Sequence, residues 1–215
     1  MTQPILVTGF EPFGGEVLNP SALVARALHG RRIGGVPVVG IELPCAFGEA
    51  ITVLRDALAT HRPQLVLALG QAGGRCDLSL ERVAINIDDA RIADNRGAQP
   101  IDEPVVADGP AAYFTTLPVK AIVAALRQAG YPASLSHSAG TFVCNHVFYG
   151  LQHALAGQAG VRSGFMHLPY LPEQAVHHAG APSLALGTLV DGVAAALAAA
   201  LVTERDSKVS EGTLD

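Results

Sequence analysis

The chain has 215 residues, of which 49% are hydrophobic, 15% charged and only 5% aromatic, with a formal net charge of -5. Such a length and apolar fraction fit one domain with a sizeable core, and the acidic balance offers no footprint for nucleic acid or an anionic membrane surface. Three cysteines, at positions 45, 76 and 144, are too few and too odd in number for a disulfide framework and read as reduced cytosolic thiols.

The N-terminus, Met1-Thr2-Gln3-Pro4, has none of the charge and apolar patterning of a signal peptide. Ile5 to Gly9 is a short apolar run closed by glycine, and Asn19-Pro20 supplies a cap and a first-turn proline for a helix. Val36 to Leu43 then reads as strand and Phe47 to Thr60 as helix. Gln64 to Leu69 is an uninterrupted apolar strand, the signature of burial on both faces. From Leu78 to Ile87 the pattern alternates, with Glu81, Val83 and Ile85 in one phase, which predicts a half-buried strand. Residues 88 to 112 are rich in Asp, Arg, Pro and Gly without a period and read as a long functional loop or hairpin. Pro118 to Gln128 is the next helix, Ala133 to Ser138 a strand, Asn145 to Leu155 a helix and Ser163 to Leu168 a strand. Leu184 to Val202 is rich in Ala and Leu, yet Gly187, Thr188, Asp191 and Gly192 make it a packed C-terminal helix rather than a membrane span. The charged residues beyond it, 203 to 215, read as a flexible tail after a single domain spanning 1 to 202. Alternating strands and helices predict a three-layer α/β/α sandwich around a mixed, mainly parallel sheet.

In such sheets functional groups gather at the carboxyl ends of strands. Gly9 to Gly14 has the glycine spacing of a phosphate loop, but Gly15-Glu16 follows where Lys and Ser or Thr are required. There is no HExxH or CxxC pair, and no metal or other cofactor is expected. Cys144 stands where a strand-like run gives way to a helix, so unpaired N-H groups and the helix dipole would favour its thiolate. The plain alternative is a small buried hydrophobe. His167 closes the short run Gly164-Phe165-Met166-His167 before Pro169, and a cysteine and a histidine at two such strand ends are able to meet in space. Glu81, in phase with Val83 and Ile85, is costly to bury unless paired; it serves either as the acid that orients an imidazole or as half of an ion pair with an arginine. Asp88, Asp89 and Asp94 lie in a polar loop, where solvated acids are ordinary.

The segments GFEPFGG from Gly9, GQAGGRCDLSLERVAIN from Gly70 and SHSAGTFVCNHVFYG from Ser136 resemble the pyrrolidone carboxyl peptidases, or pyroglutamyl peptidases I, a family of cytosolic cysteine peptidases. The resemblance runs from about Ile5 to about Leu201. It implies a Cys-His-Glu triad with Cys144 as nucleophile, His167 as general base and acid, and Glu81 as orienting acid. It implies an oxyanion site made by the backbone N-H of Cys144 with Arg91. Phe10, Phe13, Phe142 and Val143 match positions that wall the substrate ring, and Gln71 and Asn19 match positions that give polar contacts or hold the loops. Phe142 and Val143 also read as plain core. The implied reaction releases N-terminal 5-oxoproline from peptides through an acyl-enzyme, in a cytoplasmic homo-oligomer, often a tetramer. Members often carry threonine where Cys45 stands. Two rival readings are a cysteine amidohydrolase acting on another small amide and a non-catalytic binder on the same sheet.

Overall fold

The computed structural model describes residues 2–158 and 160–212. Its centre is a seven-stranded sheet in the order β2-β3-β1-β4-β9-β5-β8, formed by β1 (Ile5–Phe10), β2 (Arg32–Ile33), β3 (Val36–Leu43), β4 (Leu65–Gln71), β5 (Leu78–Glu81), β8 (Ala133–Ser136) and β9 (Arg162–Leu168). β3, β1, β4 and β9 run parallel. β2 is antiparallel to β3, and β5 is antiparallel to β9 while parallel to β8. All seven β4 residues are buried, as an unbroken apolar run between two helical layers requires.

One layer holds α1 (Pro20–Leu28), α3 (Val119–Gln128) and α6 (Leu186–Val202), the other α2 (Glu49–His61) and α4 (Val143–Leu155). On the first side Val24, Ile122 and Val193 pack against Leu67, Leu69 and Met166. On the second, Leu54, Val147 and Phe148 pack against Val66, Ala68 and Phe165. Alternate residues of β4 and β9 therefore feed two separate cores, and the chain forms the expected three-layer α/β/α sandwich. No helix among the described residues is long and apolar enough to cross a membrane.

Local sequence explains several boundaries. Asn19 caps α1, its side-chain oxygen accepting from Ser21 N at 3.0 Å with Pro20 following. Gly9 has no room for a Cβ, which would meet the Ser21 carbonyl at 2.2 Å; glycine there lets β1 and α1 approach closely.

The predicted strand from Leu78 to Ile87 is corrected. It breaks at Arg82, whose N-H pairs with Ser136 O while its carbonyl accepts from Thr115 N. β5 stays in the central sheet with all four residues buried. β6 (Val83–Ile85) pairs antiparallel with β7 (Ala112–Phe114) in a separate ribbon, and there Ala84 is buried while Val83 and Ile85 are half-buried. Glu81 is thus buried on a strand whose phase ends with it, because the chain changes sheets at the next residue. Three short elements carried too little pattern to be read, β2, β7 and a one-turn helix α5 (Pro172–Ala175).

The 88–103 segment is a loop closed at its base by an isolated antiparallel bridge between Asp88 and Glu103, with reciprocal backbone bonds of 2.7 and 3.0 Å. After α6 the chain has no regular secondary structure as far as residue 212, but it lies across α3. Asp206 accepts from the N-H groups of Lys120 and Ala121, and Glu211 pairs with Arg127 at 2.9 Å. Asp206 thereby supplies the anionic partner that the start of α3 lacks in its own sequence. Residues 213–215 of the expected tail lie outside the described residues.

Candidate active site

The carboxyl ends of β4 and β9 lie side by side, with Gly70 in register with His167. α4 begins at Val143, two residues earlier than the sequence pattern suggests, so Cys144 occupies its second position. A Cβ added to Gly70 would come within 2.8 Å of both Cys144 Sγ and the Phe165 ring. Phe165 in turn packs on His167 with ring centroids 4.9 Å apart. The thiol therefore rests over a glycine of β4, on the sheet face that carries His167, and the missing side chain makes the space for it.

Glu81 reaches the same place from β5. Across the antiparallel pair it stands opposite Phe165, with Ser79 opposite His167, so it meets the imidazole diagonally on one face. His167 Nδ1 donates to Glu81 Oε1 at 2.7 Å. Neutral His167 then carries its proton on Nδ1 and leaves Nε2 as the basic nitrogen, the tautomer a general base requires. Arg75, from the loop before β5, donates through Nη1 to the same Glu81 oxygen at 2.7 Å and through Nη2 to Ser138 O at 3.1 Å. Glu81 thus bonds a histidine and an arginine at once, the contacts that its two readings call for. Its other oxygen, Oε2, is buried without a partner among the described residues.

Burial governs the titration of the pair. It pushes the Cys144 thiol up to about 12, with the Glu81 carboxylate adding to the rise and the Arg75 guanidinium opposing it. The thiol is half-buried, and the direction follows from its apolar neighbours Val143, Val147 and Phe165. Burial also lowers the pKa of His167, offset in part by its bond to Glu81 and reinforced by the charge of Arg75. Both shifts favour a neutral thiol and a neutral imidazole, against the pull of the helix dipole toward the thiolate. A helix N-terminus contributes at most about 2 kcal/mol, roughly 1.5 pH units, less than the upward push.

The backbone N-H of Cys144, second in α4, is one of the donors a helix leaves unpaired. Arg91 is exposed. Its loop is latched to the turn before α4, where Asp89 N donates to Thr141 O and Thr141 Oγ1 donates to Asp89 O. Phe13 and Phe142 are half-buried and packed together with centroids 5.9 Å apart, whereas Phe10 and Val143 are each 1% exposed and belong to the core beneath. Asn19, 2% exposed, donates to Glu11 O and so holds the turn that carries Phe13. Gln71 follows Gly70 on β4 and so faces the opposite helical layer from Cys144; its side-chain oxygen accepts from Gln174 Nε2 at 2.8 Å. Cys45 is 2% exposed with its thiol pKa raised by burial, and among the described residues its polar contacts, to Glu11 and Asn95, are made by its backbone. Cys76 is exposed.

Several site residues were not singled out by sequence reasoning. Arg75 lies in a Gly-rich loop with no period to assign it a direction. Phe47 packs edge-on to Phe142 at 5.4 Å and completes an aromatic wall. Asn145, which follows Cys144, accepts from Ile85 N at 3.0 Å and donates to the carbonyls of Ile85 and Ile87, pinning the first turn of α4 to β6. A buried asparagine among apolar neighbours was the one available signal for such a pin.

Residues 3–203 match the family profile described as "Pyroglutamyl peptidase". The chain is 61% identical over 212 residues to the pyrrolidone-carboxylate peptidase of Cupriavidus taiwanensis, covering 98% of each chain. It is 58% identical over 208 residues to that of Klebsiella pneumoniae, covering 97% of each. Its fold superposes on the crystal structure of pyroglutamyl peptidase I from Bacillus amyloliquefaciens with a TM-score of 0.94 at 44% identity, over 98% of this chain and 100% of that one. A variant pyrrolidone carboxyl peptidase from Pyrococcus furiosus gives 0.89 at 43% identity, over 92% and 98%. A thiol at a helix start beside a carboxylate-bound histidine, on a chain matched from end to end, places this protein in the pyroglutamyl peptidase family of cysteine peptidases.

Proposed function

We propose that this protein removes N-terminal pyroglutamate (5-oxoproline) from peptides, with Cys144, His167 and Glu81 as its catalytic triad. The observation that carries the assignment is the 2.7 Å bond from His167 Nδ1 to Glu81 on the sheet face where the Cys144 thiol lies over Gly70. His167 Nε2 takes the thiol proton as Sγ attacks the carbonyl carbon of the pyroglutamyl residue. Burial favours the neutral form of both groups, so proton transfer accompanies attack. Negative charge on the tetrahedral oxygen is met by the Cys144 N-H, with Arg91 brought in from the 88–103 loop when substrate is bound. The intermediate collapses as His167 returns the proton to the departing amine. Water, deprotonated by the same nitrogen, then hydrolyses the thioester, releasing 5-oxoproline and the free thiol. Glu81 holds the ring and stabilises its cation, and Arg75 fixes Glu81.

The half-buried rings of Phe13 and Phe142 suit a lactam, which is flat-sided, uncharged and without an α-amine. An ordinary charged N-terminus would be left unpaired against such a wall. By the same resemblance the protein acts as a cytoplasmic homotetramer, which light scattering of the purified protein tests directly. The decisive assay compares pyroglutamyl-naphthylamide with its prolyl and glutaminyl analogues. Selective cleavage of the first, abolished in Cys144→Ser, is expected. Equal rates on all three would point instead to a general small-amide hydrolase, and hydrolysis surviving Cys144→Ser would remove the nucleophile assignment.

A further inference from the structure

His146, two residues beyond the nucleophile, has a geometry that the hydrolysis does not use. It is 5% exposed. Its Nε2 accepts from the Gly48 N-H at 2.9 Å, and since an amide N-H only donates, Nε2 is unprotonated. Its Nδ1 then carries the proton and donates to Asp88 Oδ2 at 2.7 Å. The ring is locked in one neutral tautomer by two loops that are distant in sequence.

That locked ring supports the aromatic wall. Phe47 stands edge-on to His146 with centroids 5.2 Å apart and 82° between planes. Phe142 stands edge-on to Phe47 at 5.4 Å, and Phe13 lies against Phe142 at 5.9 Å. Phe13, Phe47 and Phe142 are all half-buried, so each ring keeps part of its surface open. The loop carrying Phe47 needs external support. Gly48 begins α2 at φ 72°, with no side-chain cap of its own, and the consecutive N-H groups of Phe47 and Gly48 are taken by Asp94 Oδ2 and His146 Nε2.

We infer that His146, held by Asp88, is a positioning residue that sets the aromatic wall at a fixed distance from Cys144 and so determines affinity for the lactam ring. Cys144 and His146 share the first turns of α4, so the side chain that holds the wall moves rigidly with the nucleophile. Asp88 also forms the base of the loop bearing Arg91, which ties wall, loop and thiol to one ring. This rests on the proposed pyroglutamyl specificity and adds to it a residue that need not touch substrate.

The test uses His146→Leu and, because that leaves the Asp88 carboxylate buried and unpaired, the double variant His146→Leu/Asp88→Leu, in which both partners become apolar. His146→Gln, able to accept and to donate at once, is the conservative control. For pyroglutamyl-naphthylamide we expect KM to rise about tenfold or more, the range of a lost apolar pocket contact, with kcat within about threefold and partial recovery in His146→Gln. Iodoacetamide alkylation of Cys144, measured in a Cys76→Ser background, should keep its parent rate. Folded variants with lowered Tm but unchanged KM would overturn the inference, and so would alkylation falling in step with hydrolysis, which would place the effect on the nucleophile. A parent enzyme inactive on the pyroglutamyl amide would overturn the specificity reading and this inference together; an active parent with unchanged KM in the variants overturns this inference alone.

Discussion

Arg75→Met perturbs the triad without touching any of its members. Arg75 and His167 each donate to Glu81 Oε1 at 2.7 Å, so their bonding nitrogens lie no more than about 5.4 Å apart. Two unit charges at that separation repel by ~3 kcal/mol at an effective dielectric of 20 and by ~0.8 kcal/mol in water. The Arg75 side chain is 29% exposed, which calls for a value between these limits, ~1.5 kcal/mol or about one pH unit. The guanidinium lowers the pKa of His167, so its removal raises that pKa. His167 must be neutral to act as base; hence the acid limb of kcat/KM should move to higher pH by about one unit. Well below that limb activity should fall about tenfold relative to the parent, while the plateau above pH 8 changes little. Arg75→Lys should retain most of the parent profile. The assay is kcat/KM for pyroglutamyl-naphthylamide from pH 5 to 9 at constant ionic strength. An acid limb that stays in place or moves to lower pH would refute the reasoning.

Glu81→Gln keeps the size of the side chain but loses its charge beside the imidazole, and kcat should fall by roughly 10²–10⁴ with little change in far-UV circular dichroism; a parent-like rate and pH profile would exclude Glu81 from the triad. Gly70→Ala places a methyl 2.8 Å from Cys144 Sγ, so hydrolysis should drop at least a hundredfold while urea unfolding shows a loss of only about 1–3 kcal/mol. Alkylation of Cys144 by iodoacetamide should be slow at pH 7 and still climbing beyond pH 9, because burial raises its thiol; a plateau below pH 8 would reveal a thiolate-imidazolium pair instead. In the same peptide maps Cys76 should react readily and Cys45, 2% exposed, should not. The folded pKa of His167 lies below its ordinary 6.5, so the unfolded chain binds the extra proton first. Its contribution to stability is present above pH 6.5 and is lost as pH falls from there to the folded pKa. The stability difference between the parent and His167→Gln should therefore narrow on acidification through that window, and a difference that widens would contradict it.

Each sequence reading that held has a local cause. The run Leu65 to Leu69 is apolar without a break, which only a strand covered on both faces satisfies. Asn19-Pro20 started a helix because capping and proline chemistry act within three residues. The strand from Leu78 to Ile87 was misread for an equally definite reason. Alternation reports that one face is buried, not which sheet buries it, and the chain leaves the central sheet after Glu81 for the β6-β7 ribbon. The dipole argument for Cys144 is a local one; burial between α4, Gly70 and Phe165, a property of the assembled layers, pushes its thiol the other way.

What the sequence by itself determined is the chemistry available: a cysteine at a helix start, a histidine closing a strand, an acid in an apolar segment, and motifs long enough to name the family. Those features are local, set by side-chain type and by the backbone preferences of a few neighbouring residues. Only the tertiary structure decided which groups meet. β5 runs antiparallel beside β9, and this brings Glu81 to His167 diagonally across 86 residues of chain. Arg75 joins that same oxygen from a loop without pattern, and His146 links α4 to Gly48 and Asp88 across 98 and 58 residues. Strand order and loop closure set these encounters, because they depend on how distant segments pack together, which no window of sequence contains.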